Sequence, residues 1–302
     1  MKQLTTHPKN KKRDRYFLKT KLTPWLILAI PILLTLWLKY YPILSAIFMS
    51  LFDYSPIDPP GKFIGLQNYI TMFSTQYYWQ AWVNSFIFLG LSFAMSFFIP
   101  IIQALLLNEL IFMKKTFTTL YIIPALIPST VNVIIWKWIW NPDYGVANQI
   151  IRFFGGQPQA WLSDPNWTKF CIIFPGVIGG GLGVLLYLSA IQSTSNDVLE
   201  SSRMEGCDGW KRIWYIILPN IKFMIFIQMI FAVIGTLQLL DVPYMYASGG
   251  PSGASTTMGI YIYRAFSGDL NYGRGAAAST ILLLVIAVIT MIEMHFERSE
   301  QE

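Results

Sequence analysis

Long apolar runs separated by short polar segments dominate this chain. Six of the runs are long enough to cross a membrane, and they cover residues 24–52, 84–108, 116–140, 168–193, 220–242 and 275–294. A helix needs about 20 mostly apolar residues to span the hydrocarbon core. The pattern therefore predicts an all-α integral membrane protein with six transmembrane helices. Residues 24–294 would form one membrane domain, between a basic tail (1–23) and a C-terminal segment (295–302).

Composition supports a membrane location. Of 302 residues, 54% are hydrophobic and only 13% are charged, and the mean hydropathy is +0.46. Roughly a quarter of the residues in a soluble domain are charged. The net charge of +6 is concentrated in the N-terminal tail, so we interpret it as a topology signal and predict no nucleic-acid partner. The first apolar run is too long for a cleaved signal peptide.

The distribution of Lys and Arg predicts the orientation of the chain. Basic residues are concentrated in the tail, in the turn at 109–116 and in the loop at 194–219, and are sparse in the alternate loops. The positive-inside rule then places both termini and the 194–219 loop in the cytoplasm of a bacterial or archaeal cell. Lys39 interrupts the first run. A cation within a span is expected to meet an acidic solute or to pair with a partner subunit, and we favour the second.

The most informative segment is the polar stretch from Asp197 to Lys222, which lies between two apolar runs. Two charged helical turns, Leu199–Met204 and Trp210–Ile217, are separated by glycines that permit a sharp turn. Pro219 is expected in the first turn of the next transmembrane helix. We interpret the segment as a cytoplasmic coupling helix between transmembrane helices 4 and 5, which would dock onto a partner.

The spacing of this segment resembles the EAA motif of permease subunits in ATP-binding-cassette importers. That motif reads E-A-A, three residues, G, nine residues, I-x-L-P. The matching residues, which the resemblance implies are coupling residues, are Glu200, Ser201, Ser202, Glu205, Gly206, Leu218 and Pro219. Ser201 and Ser202 replace the alanines of the motif, Glu205 replaces an aspartate and Cys207 replaces an alanine.

Over nearly its whole length, the chain also shows weaker resemblance to the permeases of carbohydrate-uptake importers, those of the maltose and glycerol-3-phosphate type. The matching segments fall at residues 65–69, 123–142, 190–200 and 249–257, in the order of the family. Ser195 stands where the family usually has proline. The resemblance implies a heteromeric importer of a saccharide. Its other parts would be a second homologous permease, two cytosolic ATPase subunits and an extracytoplasmic solute-binding protein.

The residues indicate no catalytic or metal centre. The chain has no G-x-x-x-x-G-K-[ST] phosphate loop, so ATP and Mg would be bound by the partner ATPase and this subunit would not be an enzyme by itself. Two histidines, His7 and His295, lie far apart in the sequence. Cys171 and Cys207 are predicted to be free thiols, since their contexts fit neither a disulfide framework nor a metal site.

Polar and aromatic residues within the runs are candidates for the substrate path, because polar groups in hydrocarbon must face protein or water. They are Asn132, Tyr187, Gln238, Asp241 and Tyr244. Gln238 and Asp241 are three residues apart and are predicted to share a helix face. A half-sized secondary transporter stays an alternative, although the proton-relay chain of such carriers is missing. An importer permease for a non-sugar solute such as glycerol 3-phosphate is another.

Three further expectations concern packing and loops. Gly176, Gly180 and Gly183 predict a smooth face for a neighbouring helix. The aromatic residues at 77–82 are expected at the membrane interface, beside an amphipathic segment at 65–73. The loop after the fifth run, at 246–257, is rich in glycine and serine and is expected to be external and flexible.

Overall fold

The computed structural model describes residues 24–25, 27–179 and 181–299. The predictions for the basic tail (1–23), for Gly180 and for residues 300–302 lie outside the described residues. Within them the protein is mostly helical, with a single short antiparallel hairpin. The predicted helical class is therefore correct except for the two strands.

Helices and strands follow one another in the order predicted by the apolar runs, with shorter elements between them. The helices are α1 (Ile27–Met49), α2 (Gln67–Phe73), α3 (Gln76–Glu109), α4 (Lys114–Leu126), α5 (Ser129–Ile139), α6 (Val146–Phe153), α7 (Pro165–Ile178), α8 (Leu182–Gln192), α9 (Asn196–Met204), α10 (Trp210–Asn220), α11 (Lys222–Leu237), α12 (Asp241–Ala247), α13 (Met258–Ser267) and α14 (Tyr272–Ser299). The strands are β1 (Phe52–Ser55) and β2 (Asp58–Phe63).

Three continuous helices, α1, α3 and α14, are long and apolar enough to cross a membrane. Three bent pairs reach the same length and hydropathy when each is taken as one span. The pairs are α4 with α5, bent by 92°, α7 with α8, bent by 44°, and α10 with α11, bent by 68°. By length and composition, the described residues thus provide up to six spans.

Two of these breaks have a local cause in the sequence. Ile127, between α4 and α5, is extended at ψ 125°, since the proline that follows disfavours helical angles in the residue before it. Gly179 and Gly181, between α7 and α8, have φ of +73° and +97°, which glycine adopts without steric cost. The apolar runs at 116–140 and 168–193 are therefore each two helices, and the single segments predicted there are corrected.

One end of the molecule, the distal end, is built where α3, α11, α13 and α14 pack together. Tyr78 and Trp82, expected at the membrane interface, are instead 0% and 6% exposed in this core. Asn84 donates hydrogen bonds of 2.9 Å to the carbonyls of Gly253 and Thr256. The 246–257 loop is consequently fixed against α3, and the expectation of a flexible loop is wrong.

The hairpin after α1 was not predicted. β1 and β2 pair with Phe52 opposite Phe63, and β1 packs against α14. Asn68 on α2 donates 2.8 Å hydrogen bonds to the carbonyls of Ser50 and Phe52, so it satisfies backbone acceptors that the short strands leave open. Asn68 and Met72 are buried and pack α2 against its neighbours, whereas Ile70 and Phe73 on its other side are exposed.

The opposite end of the molecule, the coupling end, is held by a second apolar cluster from α3, α8, α10 and α11. Its buried members include Leu107, Tyr187, Ile191, Ile217 and Ile221. Both ends of the 194–219 loop emerge from this cluster. The loop is thus anchored to three transmembrane segments at once.

Candidate functional site

The 194–219 loop folds into the two helices α9 and α10, which are joined by a glycine turn. Gly206 and Gly209 have φ of +73° and +56°, and a Cβ atom on either would meet no atom within 4 Å. The amide of Cys207 donates a hydrogen bond to the carbonyl of Ser202 at 2.9 Å. This is the hydrogen bond of the Schellman motif, in which a helix ends and a left-handed glycine follows it. Backbone angle, and not lack of space, therefore explains the glycines.

Glu200 lies at the fifth position of α9, not at its start. The acid in the first turn is Asp197, and the Ser195 hydroxyl accepts a 3.3 Å hydrogen bond from the amide of Val198. Serine is a favoured capping residue, so the usual proline is replaced by a residue that also defines the helix start. A favourable interaction with the helix dipole is therefore expected for Asp197 and not for Glu200.

The two serines of the motif are accommodated within α9 itself. The Ser201 hydroxyl donates to the Val198 carbonyl at 3.2 Å, and the buried Ser202 hydroxyl donates to the Leu199 carbonyl at 2.8 Å. Because each hydroxyl finds a partner in its own helix, serine fits a position where alanine is usual without leaving a buried donor unpaired.

Outside its buried base, the segment presents apolar side chains, several acids and the exposed Lys211. Met204 is 89% exposed and Trp210 is 75% exposed. The acids between them in sequence, Glu205 and Asp208, are exposed as well, as is Glu200. A large exposed methionine and tryptophan beside carboxylates are typical of a protein-binding surface.

Two polar contacts that the sequence did not reveal tie this surface to the membrane helices. Arg212 on α10 is 8% exposed, and its Nη2 lies 2.5 Å from Oε1 of Glu109, the last residue of α3. Asn220 at the end of α10 donates a 2.6 Å hydrogen bond to Oγ1 of Thr194. The only signal in the sequence was an acid at the end of an apolar run and an arginine in the loop.

The last two residues of the motif are at the end of α10. Pro219 lies in its final turn, and the 68° bend to α11 comes two residues later, at Ile221. Pro219 was predicted in the first turn of the transmembrane helix, so its position is corrected. Leu218 is partly buried against the coupling-end cluster, which makes it an anchor of the segment.

The five predicted substrate-path residues do not form one group. Asn132, Gln238, Asp241 and Tyr244 are exposed on the surface of this chain, and their elements are neighbours, since α12 packs against α5. Gln238 is the residue just after α11, whereas Asp241 begins α12. The prediction that these two share a helix face is therefore wrong.

Tyr187 is separate from the other four. It is 1% exposed in α8, and its hydroxyl has no hydrogen-bond partner among the described residues. Its ring packs in the coupling-end cluster. It also lines a cavity of about 340 Å³ between α3, α8 and α11.

A second cavity, of about 440 Å³, opens at the distal end. Its lining includes Lys137, Trp140, Asn141, Ser163 and Tyr246. Lys137 donates a 3.4 Å hydrogen bond to the Met245 carbonyl, and burial raises the pKa of the Tyr246 hydroxyl above its ordinary value. Among the residues that line this cavity, Lys137 is the charged side chain and the others are neutral. No group of three or more potential metal-ligating side chains occurs in the part of the chain that the structure describes.

The geometry, a membrane-sized set of helices with an exposed helical segment at one end, agrees with a family match. Residues 14–300 match the family described as "Binding-protein-dependent transport system inner membrane component". The chain belongs to this family. It is accordingly an integral component of an inner-membrane transport system, and the predicted resemblance is confirmed.

Relatives match over almost their full lengths. The probable ABC transporter permease protein YurN of Bacillus subtilis (strain 168) is 29% identical over 94% of this chain and 99% of its own. The lactose transport system permease protein LacF of Rhizobium radiobacter is 28% identical over 92% and 94%. A bacterial alginate ABC transporter, solved in complex with an alginate pentasaccharide-bound periplasmic protein, has a similar fold. Its TM-score is 0.82 at 23% identity, covering 94% of this chain and 98% of that one.

Proposed function

We propose that this chain is the permease subunit of an ATP-driven importer that moves a saccharide delivered by a solute-binding protein. The observation that carries the proposal is the α9–α10 segment, whose exposed surface lies on a base tied to α3. Such a segment can transmit a movement of a partner to the membrane helices. Family membership and the named substrates of the relatives support the same conclusion.

The proposed complex divides the work between subunits. A second homologous permease would complete the path, and two cytosolic ATPase subunits would bind ATP and Mg, so that this chain has no catalytic residues of its own. The two termini and α9 would lie on the cytoplasmic side of six crossings. The exposed acids and Met204 favour an ATPase surface with a hydrophobic pocket and a basic rim.

Coupling would work through a shift between two states of the complex. ATP brings the ATPase subunits together, and α9 would move with the surface to which it is docked. The Arg212–Glu109 ion pair and the Asn220–Thr194 hydrogen bond would transfer this movement to α3, α8 and α11. The solute path would then open alternately to either side.

The saccharide assignment has its support in the exposed polar and aromatic residues next to α12. Asn132, Gln238, Asp241 and Tyr244 offer amide, carboxylate and ring surfaces, the groups that bind sugar hydroxyls and sugar faces. A solute such as glycerol 3-phosphate is the second candidate within the same family. Lys137 and the membrane-embedded Lys39, both exposed cations in this chain, would be available to an anion.

The decisive experiment expresses this chain with the neighbouring transporter genes and isolates the complex through a tag on this subunit. We expect an ATPase to copurify, and we expect ATP hydrolysis in proteoliposomes to rise with a binding protein loaded with maltose, trehalose or lactose. Glycerol 3-phosphate is tested in parallel. A complex without an ATPase would contradict the importer. ATP hydrolysis that none of these solutes stimulates would contradict the substrate assignment.

The coupling role of the motif is tested by two substitutions in α9 and its turn. Glu200→Ala removes an exposed carboxylate, and Gly206→Val places a β-branched residue at positive φ, where it is strained. We expect solute-stimulated ATP hydrolysis to fall by roughly 2- to 10-fold, the effect of one lost charged contact, with the subunit still in the membrane. Asp143→Ala at the distal end and Gly90→Ala, where the Cβ atom meets open space, are the controls. Normal coupling in both test variants would exclude α9 as the coupling element.

A further inference from the structure

One side of the short helix α6 is packed against the protein and is held there by Asn148. This residue is 0% exposed, and its amide nitrogen donates hydrogen bonds of 2.8 and 2.9 Å to the carbonyls of Pro142 and Gln159. Its side-chain oxygen accepts hydrogen bonds from the Gln159 amide and the Trp161 indole, both at 2.9 Å. An asparagine side chain has two donors and two acceptor sites, and all of them are used. The direction in which each side of α6 faces is therefore fixed.

The outer face of α6 exposes apolar side chains at helical spacing. Val146, Ile150 and Phe153 follow one another at intervals of four and three residues, so they lie on one side of the helix. All three are exposed. Phe154, directly after the helix, extends this outer face, and the two phenylalanines are 85% and 81% exposed. An exposed apolar patch of this kind indicates a contact surface.

A third side of α6 is polar. Arg152 and Gln149 are exposed, and Arg152 points about 100° away from Phe153 around the helix axis. Arg152 donates a 3.4 Å hydrogen bond to the Asp143 carbonyl, and Gln149 donates a 2.9 Å hydrogen bond to the Tyr144 carbonyl. One side of α6 thus contacts protein, one is apolar and one is polar. This division suits a helix that lies in the plane of a membrane interface, with its apolar side towards acyl chains and its polar side towards water.

The neighbours of α6 place it at the level of such an interface. It packs against α5, which belongs to one of the bent membrane-spanning pairs. An exposed apolar stripe on α5 leads to this contact and consists of Val131, Ile134, Ile135 and Trp138. At the end of the stripe, the Trp138 ring lies 5.8 Å from the ring of Tyr144, two residues before α6. Tryptophan and tyrosine are enriched where a span reaches the lipid headgroups.

Three surfaces are candidates to cover the outer face: the bilayer, the solute-binding protein and another permease. A protein partner normally adds hydrogen bonds to such a contact, and the four side chains of the outer face have no donor or acceptor. The face also follows directly on the apolar stripe of a spanning helix. Arg152, beside it, complements the phosphate groups of lipids. These observations favour the bilayer.

We propose that α6 is an interfacial helix that inserts its outer face into the membrane leaflet at the distal end. The loop at 140–164 would then be anchored to the bilayer as well as to the protein. Trp140, Asn141 and Ser163 of this loop line the distal cavity of about 440 Å³. The lipid contact would thereby hold one wall of that cavity in place.

Fluorescence quenching in nanodiscs tests the insertion. The assembled transporter is prepared in a Cys207→Ser background, in which Cys171 is buried, and Phe153→Cys is labelled with an environment-sensitive nitrobenzoxadiazole dye. Arg152→Cys, its neighbour on the polar side, is the matched control. We expect blue-shifted emission from the Phe153→Cys label and quenching by a phosphatidylcholine that carries a nitroxide on its acyl chain. The Arg152→Cys label should be quenched by iodide in the buffer instead.

A label in the Ile150→Cys variant gives a second measurement on the outer face and should behave like the Phe153→Cys label. Quenching of both by iodide as strongly as the control would overturn the proposal. Shielding of both from iodide and from the nitroxide lipid would also overturn it, since another subunit would then cover the face. Protection that appears only after the solute-binding protein is added would have the same consequence. Neither transport nor ATP hydrolysis is measured, so failure of the proposed function would leave this result unaffected.

Discussion

Arg212 is a buried cation whose partner is half exposed. The arginine side chain is 9% exposed and Glu109 is 53% exposed, and Nε of Arg212 has no partner among the described residues. Removing one member of such a pair is therefore not equivalent to removing the other. The loss of Glu109 leaves a charge in a poorly hydrated place, whereas the loss of Arg212 leaves a carboxylate that water can solvate.

This asymmetry gives a prediction for stability. Glu109→Ala should destabilise the purified complex more than Arg212→Met, by about 1–3 kcal/mol, because methionine fills part of the space of the arginine stem and removes the charge. The apparent thermal unfolding midpoint in detergent measures the difference. The double variant should be close to Arg212→Met alone. Equal losses for the two single variants would contradict the predicted difference between the buried arginine and the half-exposed glutamate.

At the scale of elements, a side-chain hydrogen bond joins the two ends of the α9–α10 segment at its base. Asn220 Nδ2 lies 2.6 Å from Thr194 Oγ1, and Thr194 is 7% exposed. The contact joins Thr194, two residues after the end of α8, to Asn220 at the end of α10, beside the bend into α11. It fixes the angle at which the docking surface leaves the membrane helices.

Thr194→Val tests this fixation, since it removes the hydroxyl with little change in shape. We expect fewer solute molecules transported per ATP hydrolysed, because α9 could then move without displacing α8 and α11. Ser193→Ala is a matched control, as its hydroxyl donates only to the Ala190 carbonyl of its own helix. Equal transport stoichiometry in the two variants would show that the contact is not needed for coupling.

At the scale of the whole molecule, the proposed six crossings place the coupling end and the distal end on opposite sides of the membrane. Cys207 is partly exposed in the turn after α9, and Ser252 is exposed in the loop before α13. Cys171 is buried, so it should not react with a charged reagent.

Labelling in intact and inverted vesicles tests this topology. A membrane-impermeant maleimide should modify Cys207 only from the cytoplasmic side. In a Cys207→Ser background, Ser252→Cys should be modified only from the outside. Modification of both positions from one side would refute the six crossings and require one of the bent helix pairs to be re-entrant.

The sequence alone determined the features that depend on local composition and spacing. The apolar runs predicted the helical membrane class, because the hydrophobicity of about 20 consecutive residues is a property of the segment itself. Gly206 predicted the turn after α9, since positive φ is a local requirement that glycine meets. The EAA spacing likewise identified the family, as the match over residues 14–300 confirms.

Only the tertiary structure decided which side chains meet. Hydropathy could not separate the buried Tyr78 from an interfacial tyrosine, nor place Gln238 and Asp241 on different helices, because burial and helix breaks depend on neighbours distant in the sequence. The Arg212–Glu109 pair joins residues 103 positions apart. The cavity at Tyr187 is lined by residues of α3, α8 and α11, so it exists only once these three helices are packed together. Pairings of this kind are set by packing between elements, and no local pattern records them.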